Sequence, residues 1–217
     1  MEALPWVFSS GWASGINSYA VVLVLGLAGR FLGVDEVPAA LTRTDVLVAA
    51  ALLFVLDAVA DKIPYVDSAW DTVHTAIRPV VGAVLGVLIA GDASTLEQAV
   101  LGVTGGTSAL ASHLVKAGLR AAVNTSPEPA SNIVVSTAED VAVAGVVSVS
   151  LLNPWLAAAV AALLLCVGGT VVVLLVGRIR RYRRARHERR GRGGRRGPQT
   201  GTGSRTGPEG PLTTTDS

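Results

Sequence analysis

Six stretches of this 217-residue chain are apolar over about 20 residues, the length a helix needs to cross the hydrocarbon of a bilayer. They fall near residues 5–32, 45–63, 65–90, 96–122, 133–152 and 155–177. The connections between them are short and carry turn residues: Gly33–Glu36, Pro64, Gly91–Ser94, Ser126–Pro129 and Asn153-Pro154. Half of all residues are hydrophobic, well above the load of an ordinary soluble domain once the polar C-terminus is set aside. The expected fold is therefore all-α: a polytopic membrane helical bundle of about six transmembrane helices, followed by a basic tail.

The two halves of the apolar region echo each other. Gly11-x-x-x-Gly15 lies over Gly102-x-x-x-Gly106 at an offset of 91 residues, and Ser14–Ser18 over Gly105–Ala109. Pro64-Tyr65 lies over Pro154-Trp155 at an offset of 90, and Arg78-Pro79 over Gly168-Gly169. Three spans per copy is an odd number, so a duplication would insert the second copy upside down. The pattern thus predicts inverted repeats over about 5–91 and 96–177, within a membrane domain over 1–177. Repeats of this kind recur in transporters, where interrupted helices form sites near the midplane. At about 1.5 Å per residue, Asn17 and Ser108 each lie roughly 18 Å along their spans. Gly-rich sequence with small hydroxyls marks both as expected points of interruption, although the same glycines also serve close helix packing.

Against this apolar background stands a ladder of ionisable residues: Asp57, Asp61, Lys62, Asp67, Asp71, His74 and Arg78. At about 100° per residue, 67, 71, 74 and 78 fall on one helical stripe, and 57 and 61 are i,i+4 neighbours. Charges at membrane depth are costly and face a bundle interior or a wet cavity. Asp57, Asp61, Asp67 and Asp71 flank the Pro64 turn, and four carboxylates there offer the oxygen ligands that a divalent cation takes. Lys62 and Arg78 offer the alternative of internal ion pairing. Asp71 with His74, and Asp57 with Asp61, are spaced to share a proton or an ion. Arg78 precedes Pro79, which is expected to kink the span. In the second half His113 and Lys116 are i,i+3 neighbours. The adjacent acids Glu139 and Asp140 point about 100° apart, so only one is expected to face a shared cavity well. Lys116 is long enough to snorkel to an interface, whereas His113 is not. Asn17, Ser108, His113, Glu139 and Asp140 join the ladder as residues of an expected transport path.

The net charge of +2 conceals a division. Residues 1–177 hold 6 Lys/Arg and 13 Asp/Glu, whereas residues 178–217 hold 12 Arg and 3 acids. Arg178, Arg180, Arg181, Arg183 and Arg184 directly follow the last apolar run. By the positive-inside rule this places the C-terminus in the cytoplasm, and with six spans the N-terminus as well. The same arginines are expected to meet anionic lipid headgroups at about 1 kcal/mol each. Nucleic-acid binding is not expected, because no reading module accompanies the arginines. From Gly191 onward the composition predicts disorder.

The arrangement of Asp57, Asp61, Lys62, Pro64, Asp67, Ser68, Trp70, Asp71, His74, Arg78 and Pro79, with Gly15-Ile16-Asn17 before it, resembles a family of small bacterial integral membrane proteins, domain of unknown function 4126. The resemblance covers about residues 8–178. It implies a multi-pass protein of a bacterial cytoplasmic membrane and assigns no activity, cofactor or residue role. Buried charge in an apparently duplicated bundle points to a small transporter or channel for an ion or solute. A metal-dependent membrane enzyme acting on a lipid or phosphate group, or a non-catalytic scaffold or regulatory protein, are the alternatives. The enzyme reading lacks Asp-Gly-x-x-Ala-Arg and His-Glu-x-x-His, and the sequence predicts no organic cofactor.

Overall fold

The computed structural model is built of six α-helices: α1 (Ala3–Phe31), α2 (Thr44–Ala60), α3 (Val66–Ala90), α4 (Thr95–Val123), α5 (Pro129–Leu152) and α6 (Pro154–Gly194). It describes residues 3–63, 66–123 and 129–194, with the backbone alone for 67, 68, 123, 129–132, 179, 180 and 182–194. The chain divides into two units, Met1–Val176 and Gly177–Ser217. In the second unit α6 remains helical to Gly194, past the point where composition alone predicts disorder.

Four helices contain stretches long and apolar enough to cross a membrane: Leu4–Phe31, Ala69–Ala90, Ile133–Leu152 and Pro154–Arg178. Sequence reading expects six. At 17 residues α2 is short, and α4 interrupts its apolar positions with Gly, Ser, Thr, His113 and Lys116. A helix walled by other helices need not be as apolar as one facing lipid. α4 is such a helix, packed against both α1 and α3. Large apolar side chains lie exposed on the outer faces, among them Leu52, Val55, Val80, Val84, Leu163 and Leu174. That surface is one that water would disfavour and hydrocarbon accepts.

The helix α1 is broken at Asn17, whose backbone is extended (φ −148°, ψ 94°). The Asn17 side chain makes the break tenable: its Oδ1 accepts the Ala20 N–H at 3.0 Å, capping the second segment as an N-cap residue does. By contrast, α4 runs unbroken through Ser108, whose hydroxyl donates to Gly105 O at 3.1 Å. The interruption expected there does not occur. α3 likewise continues as one helix through Pro79.

Glycines set the central packing. Gly11 lies against Gly105 and Ser108, and Gly15 against Ala109 and Ser112, with no room for a Cβ at either. The contact advances in the same direction on both helices, so the first segment of α1 and α4 are parallel. Gly82 meets Gly105 and Ala109, while Gly86 meets Leu101 and Gly102, so α3 and α4 are antiparallel. Small residues let backbones approach where apolar burial gives no drive, since lipid is as apolar as leucine.

This geometry departs from what inverted repeats lead one to expect. The leading helices of two inverted copies must run antiparallel, and here they run parallel. Moreover, α3 packs against α1 and α4, whereas its supposed counterpart α6 keeps Trp155, Leu156, Leu163, Val173 and Leu174 exposed. The recurring glycine spacing serves helix contact, Gly11 and Gly15 against α4 and Gly105 against α3. An apolar core of Val21, Leu25, Leu41, Leu85, Val143, Val147, Ala157 and Ala161 completes the first unit.

Gly15→Val or Gly105→Val is expected to lower stability by about 1–3 kcal/mol through overpacking. Gly145→Ala, at a site open to added atoms, should change little. Thermal aggregation midpoints in detergent will separate the two classes.

Candidate functional site

The break at Asn17 distorts the i→i+4 ladder across the carbonyls that span it, Ser14, Gly15 and Ile16. All three accept from side chains. Ser18 Oγ donates to Ser14 O at 2.7 Å, Arg78 Nη1 to Gly15 O at 3.3 Å, and Lys116 Nζ to Ile16 O at 3.1 Å. One turn earlier, Ser112 Oγ donates to Trp12 O at 2.7 Å. Two buried cations from α3 and α4 thus sit on the C-terminal end of a half-helix, where the dipole favours positive charge.

Buried cations in turn require anions. Arg78 donates to Asp57 Oδ1 and Asp71 Oδ1, each at 3.3 Å, and Trp70 Nε1 adds a 2.7 Å bond to Asp57 Oδ1. Lys116 pairs with Asp61 Oδ2 and lies 3.6 Å from Glu139 Oε2. Arg120 donates to Asp61 O at 2.6 Å and to Glu139 Oε2 at 2.8 Å. Beside this, Asn17 Nδ2 donates to Asp140 Oδ1 at 3.1 Å. Asp57, Asp61, Asp71, Arg78, Lys116 and Arg120 are all at most 4% exposed.

The two histidines of the network are held in opposite tautomers. Trp70 O only accepts, so His74 Nδ1, at 2.9 Å from it, carries a proton. His74 Nε2 then accepts the Tyr19 hydroxyl at 3.0 Å. Arg78 only donates, so His113 Nδ1, at 3.1 Å from Nη1, carries a lone pair. His113 Nε2–H therefore donates to Thr75 Oγ1 at 3.0 Å, and that hydroxyl donates to Asp71 O at 3.0 Å.

Several sequence expectations change in detail. Asp57 and Asp61 do not act as a pair; they answer different cations. Asp71 turns to Arg78 and not to His74. Asp61 is 2% exposed. Lys116 does not snorkel but is buried on Asp61 and Ile16 O. Glu139 and Asp140 both reach the interior, because Arg120 meets one and Asn17 the other. Ser108 belongs to the α1–α4 contact. The side chain of Asp67 lies outside the described residues, as do those of Arg180, Arg183 and Arg184; Arg178 and Arg181 are exposed. For the divalent cation, the carboxylates of Asp57, Asp61 and Asp71 are directed at Arg and Lys. No group of three His, Cys, Asp or Glu able to hold a metal occurs among the described residues.

The expected path omitted Arg120, Lys116, Tyr19, Trp70, Thr75 and Ser112. The first two were legible: 113, 116 and 120 share one stripe of α4, a basic face complementary to the acids of α2 and α3. Tyr19, Trp70 and Thr75 bear no such mark.

Membrane-length apolar helices, an exposed apolar surface and a buried network of charge define a multi-pass helical membrane protein. Within that class, residues 4–174 match the family described as Domain of unknown function (DUF4126), and the chain belongs to it. No curated protein and no solved structure matches the chain.

Lys116→Met leaves Asp61 short of a buried partner and is expected to cost about 3–5 kcal/mol. Adding Asp61→Asn should return part of that loss, so the double variant will melt above the sum of the single effects in a thermal double-mutant cycle. Equal additive losses would show that the pair is not coupled.

Proposed function

We propose that this protein is a small transporter that carries an ion or small solute across the bacterial cytoplasmic membrane, with the buried network around Asn17 as its binding centre. The observation that carries this reading is the charge inside the bundle. Asp57, Asp61, Asp71 and Glu139 face Arg78, Lys116 and Arg120, four carboxylates against three cations. One oxygen of each carboxylate (Asp57 Oδ2, Asp61 Oδ1, Asp71 Oδ2 and Glu139 Oε1) has no hydrogen-bond partner among the described residues. A surplus of buried negative charge is a standing attraction for a cationic species, and ionisable residues at membrane depth mark such paths. A broken helix beside the charges is a further feature that transport sites use.

Along α1 the centre is flanked by Trp6 and Trp12 on one side and by Val21 and Leu25 on the other, all buried. Such closure favours a carrier that rearranges about the Asn17 break over an open pore. The arginines from Arg178 onward support a cytoplasmic C-terminus. A membrane-impermeant thiol reagent should therefore fail to label a cysteine placed at Thr213 in intact cells and label it after lysis.

Purified protein in liposomes is expected to show flux of an inorganic ion or small metabolite, lost in Asp57→Asn and in Asp71→Asn. Flux that survives both substitutions overturns the role of the network. A second reading, a scaffold without transport, draws on the binding of Arg78 and Lys116 to backbone carbonyls, which ties the charges to folding. Variants that lose thermal stability while transport per folded molecule stays intact would favour it.

A further inference from the structure

We infer that the species taken up by the buried centre is a proton, and that it enters at His74, between Tyr19 and Asp57, while His113 stays neutral. This deepens the transport reading and rests on it for its purpose, though not for its chemistry.

The two histidines are both buried and lie in the same network, yet their free valences differ. At His113 the unprotonated nitrogen, Nδ1, faces Arg78 Nη1 at 3.1 Å. A proton added there would meet an N–H of a guanidinium that is itself fixed on Gly15 O, Asp57 and Asp71. His113 is thereby closed to protonation. At His74 the unprotonated nitrogen is Nε2. It faces the Tyr19 hydroxyl at 3.0 Å and Asp57 Oδ1 at 3.9 Å. A hydroxyl both donates and accepts. When Nε2 takes a proton, the Tyr19 O–H turns away and its oxygen accepts the new N–H. No bond is broken between heavy atoms, and the imidazolium gains the Asp57 carboxylate as a neighbour.

The charges facing His74 come from every side. Asp57 of α2 and Asp71 of α3 are anionic; Arg78 of α3 and Lys116 of α4 are cationic; Tyr19 of α1 and His113 of α4 are neutral. Asp140 on Asn17 and the nearby Lys62 add one charge of each sign to the four carboxylates and three cations, so the centre is one negative charge in surplus and a single added proton balances it. A divalent ion finds no ready ligand set here. Among the described residues the acids and histidines form no group of three about one point. Trp70 holds the acceptor in place: its carbonyl fixes His74 Nδ1–H, its indole N–H binds Asp57, and its ring lies 4.8 Å from the imidazole.

Nitrogen-15 NMR of histidine-labelled full-length protein in lipid, with His74→Gln and His113→Gln to assign signals, tests this directly. At high pH the two buried histidines should show opposite neutral tautomers, Nδ1–H for His74 and Nε2–H for His113. Between about pH 8 and pH 5 His74, and not His113, should become an imidazolium, with His187→Gln removing the signal of the third histidine. Asp57→Asn should reduce its protonated share at a given pH by about tenfold, the effect of removing one nearby opposite charge. A His74 signal unchanged over that range, or a His113 that protonates in its place, overturns the assignment. If the buried-site variants do not fold, the His187→Gln protein suffices, because the two remaining histidines differ in tautomer. Proton flux with a silent His74 would sink this site and leave the transport reading standing. A titrating His74 without any flux in liposomes would uphold the site and count against transport.

Discussion

The arrangement depends on one local event, the interruption of α1 at Asn17. In hydrocarbon a backbone carbonyl without a donor costs several kcal/mol, and no water is at hand to relieve it. Breaking the helix weakens the bonding of the carbonyls that span the break, Ser14, Gly15 and Ile16. Ser18 satisfies one from within α1, but Gly15 and Ile16 depend on Arg78 and Lys116, which belong to α3 and α4. The break in one helix thereby fixes where two others must lie. Those cations cannot be buried alone, so Asp57, Asp71, Asp61 and Glu139 follow, drawn from α2, α3 and α5. The ladder of charge is the consequence of a backbone requirement as much as a feature of its own.

That order of dependence joins electrostatics to conformation. Arg78 divides its donors between a backbone carbonyl and two carboxylates, and Lys116 does the same with Ile16 O and Asp61. Anything that alters the charge on those acids alters the hold on the ends of the half-helix. Asn17 makes the same connection through neutral groups, capping Ala20 on one side and binding Asp140 on the other. A rigid lock would be built more cheaply from apolar residues of similar volume, since buried ion pairs seldom surpass hydrophobic replacements in stability.

Much of this was legible in the sequence, and the remainder was lost for identifiable reasons. Apolar length gave the helices closely, from 5–32 for α1 to 155–177 for the apolar part of α6, because hydropathy reports directly on what a bilayer demands. The acids of the first half and Asn17 were legible because a polar residue within apolar sequence stands out. Their partners were not. Asp57 and Asp61 are neighbours in sequence, and spacing alone suggests a pair, yet each is claimed by a cation 21 to 59 residues away. Spacing reports on one helix face and is silent on what another helix brings to it. The glycine repeat is silent in the same way. GxxxG marks a close approach without naming the partner, and the sequence does not say that α1 and α4 would pack side by side.

The glycines and the charges are in fact two stretches of one interface. On α3 the stripe through Gly86 and Gly82 continues to Arg78 and on to Asp71; on α4 the stripe through Gly102, Gly105 and Ala109 continues to His113, Lys116 and Arg120. Over the first stretch the backbones touch, as the absence of room for a Cβ at Gly82, Gly86 and Gly105 requires. Over the second, the same helices meet through polar side chains, as Thr75 and Arg78 of α3 both meet His113 of α4. The tight stretch offers no space for a charge, and the polar stretch needs the depth that glycine packing denies. A stripe that changes from glycine to charge within two helical turns therefore holds its helices firmly at one end while leaving the other to be set by ionisable groups. The break in α1 lies where the two regimes meet, with Gly15 packed on Ala109 and the carbonyl of that same residue bound to Arg78.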